Sequence, residues 1–265
     1  MFRLCVLAAE GNFMKKAAFK PMSLLSVLVW IGIWQIAAMV VSLPLILPSP
    51  LDTLRALISL GAQGGFWLSI AHSLVRIIGG FLAAVLAGIM LAVLCFKAAT
   101  AELLLSPVRS MIRATPVSSF IILVLLWLGT DMVPFFISFL MVLPIIWYNM
   151  QEGMAQTSAE LLEMAVAYDF TWRKKLKYIH IPSLLPYFYS SVAAGTGIAW
   201  KAGIAAEVIA KPELSIGKHL QDTKVYLLTD RLFAWTATII MLSVLFEKLL
   251  KTAVAKAAGR RSRHD

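Results

Sequence analysis

Long runs of apolar residues alternate along the chain with short polar or turn-rich segments. Six of these runs are long enough to cross a bilayer as helices of about 20 residues. We place them near residues 23–43, 73–96, 111–129, 132–150, 185–207 and 232–250. Only Thr130 and Asp131 separate the third run from the fourth, which predicts a tight helical hairpin. The pattern therefore predicts an all-α integral membrane protein with six transmembrane helices.

The segments that flank these runs refine the picture. The first run is too long for a cleaved signal peptide, and residues 43–50 (LPLILPSP) offer no small-residue cleavage site. Residues 51–70 have mixed polarity and favour an amphipathic helix at the outer surface. Residues 211–231 form a long loop of mixed charge, which we expect Gly217 to interrupt. Either segment is a contact surface for a partner or simply a solvated loop.

Composition agrees with a membrane location. The chain is 60% hydrophobic, carries a net charge of +10 and has a mean hydropathy of +0.83. Of its 24 Lys and Arg residues, 17 fall in four regions that the six spans place on one side of the membrane. Those regions are the amino-terminal tail, the loop after the second span, the loop at 151–184 and the carboxy-terminal tail.

The positive-inside rule puts these four regions in the cytoplasm. This predicts a cytoplasmic tail at 1–22, a transmembrane domain at 23–250 with a cytoplasmic loop at 151–184, and a basic cytoplasmic tail at 251–265. The basic charge lies in scattered loops around apolar spans, so it favours contact with the lipid bilayer over nucleic-acid binding. We expect no nucleic-acid partner.

No motif for enzyme chemistry is found. The chain has no G-x-x-x-x-G-K-[ST], H-E-x-x-H or G-x-S-x-G sequence, so we expect no catalytic residues and no cofactor. Cys5 and Cys95 are isolated and predict neither a disulfide nor a metal site. The four histidines are scattered over different segments as solvated or interfacial residues: His72, His180, His219 and His264.

Residues 159–186 form a polar, basic segment between apolar runs. Its first ten residues are mostly good helix formers. Asp169 can adopt a left-handed backbone at a turn, and Thr171 can cap a second helix that runs to about Ile179. Pro182 then interrupts that helix or starts the next. Without further information, this helix–turn–helix is equally well an ordinary cytoplasmic loop with a solvated charged face.

The spacing in this segment resembles the ATPase-docking loop of ABC-importer permeases, whose pattern is E-A-A, three residues, G, nine residues and I-x-L-P. Counted from Glu163, the match includes Ala165, Ile179, Ile181 and Pro182, whereas Met164 replaces the Ala at the second position and Asp169 replaces the Gly. Residues 47–57, 72–93 and 197–210 also resemble permeases of the nitrate/sulfonate/taurine group.

The resemblance implies the type I ABC-importer transmembrane fold. It implies cytoplasmic ABC ATPase subunits, a second permease copy in a homodimer, and an extracytoplasmic substrate-binding protein. It assigns ATPase docking to Glu160, Glu163, Ala165, Tyr168, Asp169 and Pro182. In this interpretation Ala165 is small because the ATPase approaches closely there, and Glu163 pairs with a basic group of the ATPase or, alternatively, only with its own helix.

The fifth run is the candidate substrate path, because it is rich in small residues and contains Lys201, with Glu207 near its outer end. These two are six positions apart, so they do not share a helix face. Lys201 either attracts an anion or has a structural role. Arg76 is interpreted as an interfacial anchor, and Gly79, Gly80 and Gly88 as helix-packing residues.

Taken together, these observations predict the permease subunit of an ATP-driven importer in a bacterial plasma membrane, with both termini cytoplasmic. The alternatives are an intramembrane enzyme, for which no facing catalytic groups are evident, and a secondary carrier or channel. A secondary carrier would be expected to have broken helices and paired half-repeats, neither of which the sequence indicates. Nitrate, sulfonates, taurine and thiamine-precursor-like pyrimidines all remain open as substrates.

Overall fold

The computed structural model describes the backbone of residues 21–261 and the side chains of residues 25–250 and 252. The predicted tail at 1–22 therefore lies outside the described residues except at its last two positions. In chain order the helices are α1 (Pro21–Val41), α2 (Pro50–Gly61), α3 (Gly64–Lys97), α4 (Ala99–Ala114), α5 (Val117–Leu128), α6 (Val133–Ala155), α7 (Ala159–Ala167), α8 (Trp172–Lys175), α9 (Ile181–Ala210), α10 (Ile216–Val225) and α11 (Thr229–Arg261). A π-helical turn, Leu176–His180, joins α8 to α9.

The described part of the chain has four helical segments that are long and apolar enough to cross a membrane: α3, α6, the continuous arm Trp172–Ala210, and Thr229–Leu250 of α11. A fifth is obtained if α4 and α5 are counted as one bent span, and α1 is a shorter apolar helix over Leu25–Val41. The all-α membrane architecture is confirmed. The prediction of six uninterrupted spans is not.

The break between α4 and α5 contradicts a single continuous span at 111–129. The two helices meet at an angle of 106°. Thr115, which precedes Pro116, has an extended backbone at φ −81° and ψ 133°, because a proline ring excludes the residue before it from the helical region. The interpretation that no span is broken was therefore wrong at this position, although the tight α5–α6 hairpin is confirmed.

Helix α4 occupies part of what was predicted to be a cytoplasmic loop after α3. Its Glu102 and Arg109 are half-buried, although Arg113 is exposed, and its apolar Leu103, Leu104, Val108 and Met111 side chains are all exposed. On its inner side Arg109 donates to Glu102 at 2.9 Å and to Gln151 of α6 at 2.5 Å. Hydropathy did not predict this helix because its charged and polar residues lower the average hydropathy over the segment.

Helix α6 lies at the centre of the core, packed against both α3 and α9. The approach is close at glycines of α3: a Cβ at Gly80 would collide with the carbonyl oxygen of Phe135, and one at Gly88 would lie 2.8 Å from Cβ of Ile146. The interpretation of these glycines as packing residues is confirmed. In α9, a Cβ at Gly203 would lie 2.6 Å from the Ser138 hydroxyl, whereas Gly197 has no atom within 4 Å.

Helix α2 ends at Gly61, and a short break precedes α3 at Gly64. The amphipathic helix predicted at 51–70 is thus shorter than expected, and the second span begins nine residues before 73. The Ser49 side chain caps α2 by accepting from the Asp52 N–H. Trp34 of α1 donates to the Pro48 carbonyl at 3.1 Å, which attaches the α1–α2 loop to α1.

Candidate coupling loop and substrate path

The loop between α6 and α9 has the predicted helix–turn–helix form. Ser158 caps α7 by accepting from the Leu161 N–H at 3.4 Å. Asp169 has a left-handed backbone at φ 51°, and the following Phe170 N–H donates to the Ala165 carbonyl at 2.9 Å. Thr171 then occupies the N-cap position of α8 with an extended backbone. The left-handed turn was predictable from local residue chemistry, whereas the Thr171 side chain forms no capping hydrogen bond.

Most of the proposed docking residues are exposed on this loop. They are Glu160, Glu163, Tyr168, Asp169 and Pro182. Within the described residues neither Glu160 nor Glu163 forms an ion pair, and the helix neighbours of Glu163 four residues away are Ala159 and Ala167. The alternative role of Glu163 as an i,i+4 partner therefore has no support from the geometry.

Ala165 corrects one expectation. Its side chain is 0% exposed in the single chain, so it cannot touch a docked partner. Its carbonyl accepts from the Phe170 N–H at 2.9 Å, which closes the turn after α7. The burial of Ala165 therefore gives no support to the explanation that it makes room for the ATPase. A helical spacing alone could not distinguish the inward face of so short a helix from its outward face.

Several large apolar side chains of the loop, and of the start of the Trp172–Ala210 arm, are exposed. They are Leu161, Met164, Val166, Tyr168, Trp172 and Tyr178. Basic side chains lie among them, with Lys97 Nζ 5.9 Å from the Trp172 ring and Lys177 Nζ 5.0 Å from the Tyr178 ring. The loop thus presents a mixed apolar and charged surface, which is typical of a protein interface.

The two candidate path residues of α9 have opposite environments. Lys201 is exposed on the side of α9 that also carries Ala194, Ile198 and Ala205, and within the described residues it forms no ion pair. Glu207 is 0% exposed. The prediction that the two do not share a face is confirmed. In this conformation Glu207 cannot line an open path, which corrects the expectation for that residue.

Glu207 has structural partners instead. Its Oε2 accepts from the Ser73 hydroxyl at 2.8 Å and from the Gly217 N–H at 3.1 Å. Ser73 accepts in turn from the Ile216 N–H at 3.0 Å. A buried carboxylate is stable at a helix N-terminus because the free N–H groups of the first turn point at it. Glu207 and Ser73 therefore attach α10 to α9 and α3.

Gly217 does not interrupt the 211–231 loop as predicted. It lies in the first turn of α10, and a Cβ there would collide with Cβ of Glu207. The loop contains an ordered ten-residue helix because this glycine lets α10 approach α9. Lys211 and Leu214, both with left-handed backbones, form the turn between the two helices.

Arg76 is more than an interfacial anchor. Its guanidinium donates to Asp131 at 2.6 Å and to the carbonyls of Glu213 and Leu214 at 3.2 and 3.3 Å. It also lies 4.0 Å from Glu207 Oε1. Sequence reasoning missed this cluster because its partners are 55 to 138 residues away from Arg76. The only local signal is that Ser73 and Arg76 are three residues apart on one face of α3.

His219 of α10 is half-buried rather than solvated. Its ring stacks on Trp235 with centroids 4.9 Å apart, and its Nε2 lies 2.9 Å from the Ser69 hydroxyl. The single Ser69 proton goes to the Gly65 carbonyl, so the geometry assigns the Nε2 proton to the histidine. His219 thereby docks α10 on α3 and α11.

We expect the stability of the protein to fall in mild acid through His219. Burial lowers the pKa of this imidazole from its usual 6.5, with Asp222 raising it and Lys218 lowering it to smaller extents. The neutral ring is favoured in the folded state, so this stability is present above the unfolded pKa and is lost as the pH falls below about 6.5. Thermal unfolding of the purified chain in lipid, followed from about pH 8 to pH 5, measures the effect.

His219→Gln should flatten this pH dependence, because glutamine keeps a donor for Ser69 but does not titrate in this range. His72→Gln is the matched control, since His72 is exposed on α3. An equal flattening by both variants would contradict the assignment to His219.

Across the part of the chain that the structure describes, no three His, Cys, Asp or Glu side chains are grouped to hold a metal ion.

Comparison with known proteins gives a consistent result. Residues 84–250 match the family described as binding-protein-dependent transport system inner membrane component. The chain is 26% identical over 220 residues to the taurine transport system permease protein TauC of Escherichia coli (strain K12), covering 81% of this chain and 80% of TauC. It is 27% identical over 198 residues to the bicarbonate transport system permease protein CmpB of Synechococcus elongatus, covering 65% of this chain and 68% of CmpB.

The matched region includes the last part of α3, the bent α4–α5 pair, α6, the loop between α6 and α9, and α9 itself. Its relatives are permease subunits of transport systems rather than enzymes. A multi-pass location in the inner membrane follows from the family and the apolar helices. The chain is therefore a permease, and it belongs to the family of binding-protein-dependent transport system inner membrane components.

Proposed function

We propose that this permease forms the translocation path of an ATP-driven ABC importer, with hydrolysis on a separate ATPase chain. An extracytoplasmic binding protein delivers the solute, and a second copy of the permease completes the path. The proposed substrate class is a small solute with an anionic group, such as nitrate, a sulfonate or taurine. The relatives named for taurine and bicarbonate transport support this class, since both solutes carry a small acidic group.

The observation that carries the proposal is the exposed coupling loop. A short helix, a left-handed turn at Asp169 and a second helix present exposed acidic, basic and large apolar side chains between α6 and α9. An exposed apolar surface of this kind is costly in water and favours burial against a partner. In the proposed complex, Glu160 and Glu163 pair with basic groups of the ATPase, and Tyr168 is an apolar anchor.

The connections of the loop support a mechanical role. Three residues join α6 to α7, and α8 continues through the π-helical turn into α9. Displacement of the loop by closing ATPases would move the cytoplasmic ends of two helices that pack directly against each other. The spans would then exchange between inward-open and outward-open arrangements, as packed helices switch between alternative states.

Tyr168→Ala tests the docking role. We expect ATPase co-purification and substrate uptake to fall about tenfold, because loss of an exposed aromatic anchor weakens an interface by roughly that factor. Tyr226→Ala is the matched control, since Tyr226 is 72% exposed and Tyr168 is 73% exposed, but Tyr226 follows α10 at the other end of the core. Membrane abundance is measured for both variants. Normal assembly and uptake with Tyr168→Ala would contradict the proposal.

The chain alone should hydrolyse no ATP above background, because it has no phosphate-binding glycine-rich motif. Purified permease in lipid vesicles is compared with the same vesicles after addition of the ATPase subunits. Activity should appear only in the second sample. Robust turnover by the permease without a partner would refute the division of roles between the chains.

For orientation we propose that both termini and residues 151–184 are cytoplasmic, from the distribution of basic residues. In a Cys5→Ser background, cysteine at exposed Lys211 should react with an impermeant maleimide in intact cells, and cysteine at exposed Arg173 should not. Disruption of the cells should make Arg173→Cys reactive. The reverse pattern would invert the topology and place the coupling loop outside.

The face opposite the coupling loop is the proposed contact site for the binding protein. A cavity of about 480 Å³ lies there between α2 and the start of α11, with Asp52, Arg55, Asp230 and Arg231 among its lining residues. Residues from 51–70 and from 211–231 therefore share one mixed-charge surface. Lys201 is proposed to attract the anion along the exposed face of α9, which would become a path once the second copy is present.

A further inference from the structure

The Arg76 cluster lies at the end of α9 farthest from the coupling loop, where it connects α3, the α5–α6 turn, α9 and the loop before α10. One guanidinium faces two carboxylates of different environments. The Asp131 side chain is 66% exposed and accepts from Arg76 at 2.6 Å. Glu207 is fully buried, yet its Oε1 lies 4.0 Å from the guanidinium.

The hydrogen bonds of the cluster are unevenly shared. Within the described residues, Glu207 Oε1 has no hydrogen-bond partner, whereas Oε2 has both Ser73 and Gly217. A distance of 4.0 Å is too long for a hydrogen bond. A charged group stabilises a buried carboxylate more than an exposed one, because water already solvates the exposed carboxylate. Arg76 is thus hydrogen-bonded to the exposed Asp131 carboxylate, which it stabilises less than it would stabilise the buried Glu207 carboxylate.

Asp131 supplies the connection that can be released. It lies in the short turn between α5 and α6, and its ion pair is the side-chain bond that joins this turn to α3. The other Arg76 partners are main-chain carbonyls of the loop before α10 and the buried Glu207. A shift of the turn away from α3 would free one Nη2 donor of the guanidinium. Glu207 Oε1, which lies 4.0 Å from Nη1, is a buried acceptor without a hydrogen-bond partner among the described residues.

We propose that Arg76 is an ion-pair switch, which binds Asp131 in the present conformation and Glu207 when the α5–α6 turn moves away. This inference rests on the proposed function, since it supplies a second stable arrangement for the end of the path opposite the ATPase. The two states differ in which carboxylate is hydrogen-bonded, so neither leaves the guanidinium unpaired. A small free-energy difference between two such hydrogen-bonded states permits a packed domain to alternate between two conformations.

The test measures the distance between the α5–α6 turn and the loop before α10, which lie on either side of Arg76. Spin labels on cysteines at the exposed residues Met132 and Glu213 lie on the two sides of Arg76, and the Glu213 carbonyl is retained in such a variant. Distances are recorded on the full chain in lipid nanodiscs, in a background with Cys5 and Cys95 replaced. We expect a short-distance population that corresponds to this structure and a longer one in which the turn has moved.

Neutralising Asp131 and neutralising Glu207 should change the ratio of the two distance populations in opposite directions. Asp131→Asn should raise the ratio of long to short populations about threefold, the factor expected for an exposed ion pair. Glu207→Gln should lower it, because its amide keeps an acceptor for Ser73 and Gly217 but attracts the guanidinium less. Asp52→Asn, which removes the exposed 3.6 Å pair with Arg55, is the control and should leave the ratio unchanged.

The proposal would be overturned if Asp131→Asn and Glu207→Gln changed the ratio of long to short populations in the same direction, or if neither changed it. Arg76 would then be a fixed structural connection. If Glu207→Gln does not fold, Asp131→Glu decides instead, since it keeps the charge and should preserve the ratio that Asp131→Asn alters. These distances are measured without the ATPase. Failure of uptake or ATPase assembly would therefore refute the proposed function separately from the switch.

Discussion

Replacing Ala165 with arginine is expected to abolish ATPase assembly and uptake by disrupting the coupling loop itself. The Ala165 side chain is fully buried in the single chain, so an arginine there must either bury its charge or displace α7. Removing an unpaired cation from water costs several kcal/mol, which a nine-residue helix cannot offset. Loss of the loop structure should appear as faster limited proteolysis between α6 and α9 in the permease without any partner.

Ala167→Arg is the matched control because Ala167 is exposed on the same helix. We expect it to keep the loop resistant to protease, whatever its effect on docking. Asp169→Gly should be mild, since glycine tolerates the left-handed backbone at φ 51°. If Ala165→Arg left the protease pattern and assembly unchanged, the placement of Ala165 inside the loop would be incorrect.

Gly80→Val is expected to prevent correct packing of the membrane core. A Cβ at Gly80 would collide with the main-chain oxygen of Phe135 and lie 3.1 Å from the Phe139 nitrogen. Main-chain atoms of α6 cannot rotate away, so α3 and α6 would have to separate along their shared contact. Overpacking of this kind costs about 3 kcal/mol or more and also opens gaps elsewhere in the core. The yield of monodisperse protein and its thermal midpoint in detergent measure the loss.

Gly79→Ala provides the comparison within the same helix. Its Cβ would meet only the Phe135 ring, at 3.2 Å, and an aromatic side chain can shift by a few tenths of an ångström. We therefore expect a small change in thermal midpoint at Gly79 and a large one at Gly80. Similar effects at the two neighbouring positions would show that α3 and α6 do not meet through the Gly80 backbone.

The long apolar helices were predictable because their signal is local and repeated over many residues. The segments that became α3, α6, α9 and α11 were all identified as spans, although α3 begins at Gly64 rather than 73. A hydropathy window detects the part of a helix that suits the bilayer and gives no information on where the helix ends. The same averaging concealed the break before Pro116, where the relevant information is one dipeptide.

The conformation of the candidate site was predictable only where it depends on residues that are neighbours in sequence. The left-handed Asp169 and the N-cap position of Thr171 follow from residue types at a turn. The inward direction of Ala165 does not, because it depends on how the loop folds onto itself. The contact of Ser73 with Glu207 joins residues 134 positions apart, and no single-sequence pattern relates them.

The π-helical turn at Leu176–His180 has a consequence for the length of this segment in natural and engineered variants. A π-turn holds one residue more than the α-helical turn it replaces, so the helices on either side keep their relative rotation despite the additional residue. Deleting one residue within Leu176–His180 should therefore restore an ordinary helix and leave the α8 and α9 faces in register. A one-residue deletion elsewhere between Trp172 and Ala210 would rotate one part of the arm by about 100° against the other. Deletions that preserve transport should accordingly be found at this turn and not in the remainder of the arm.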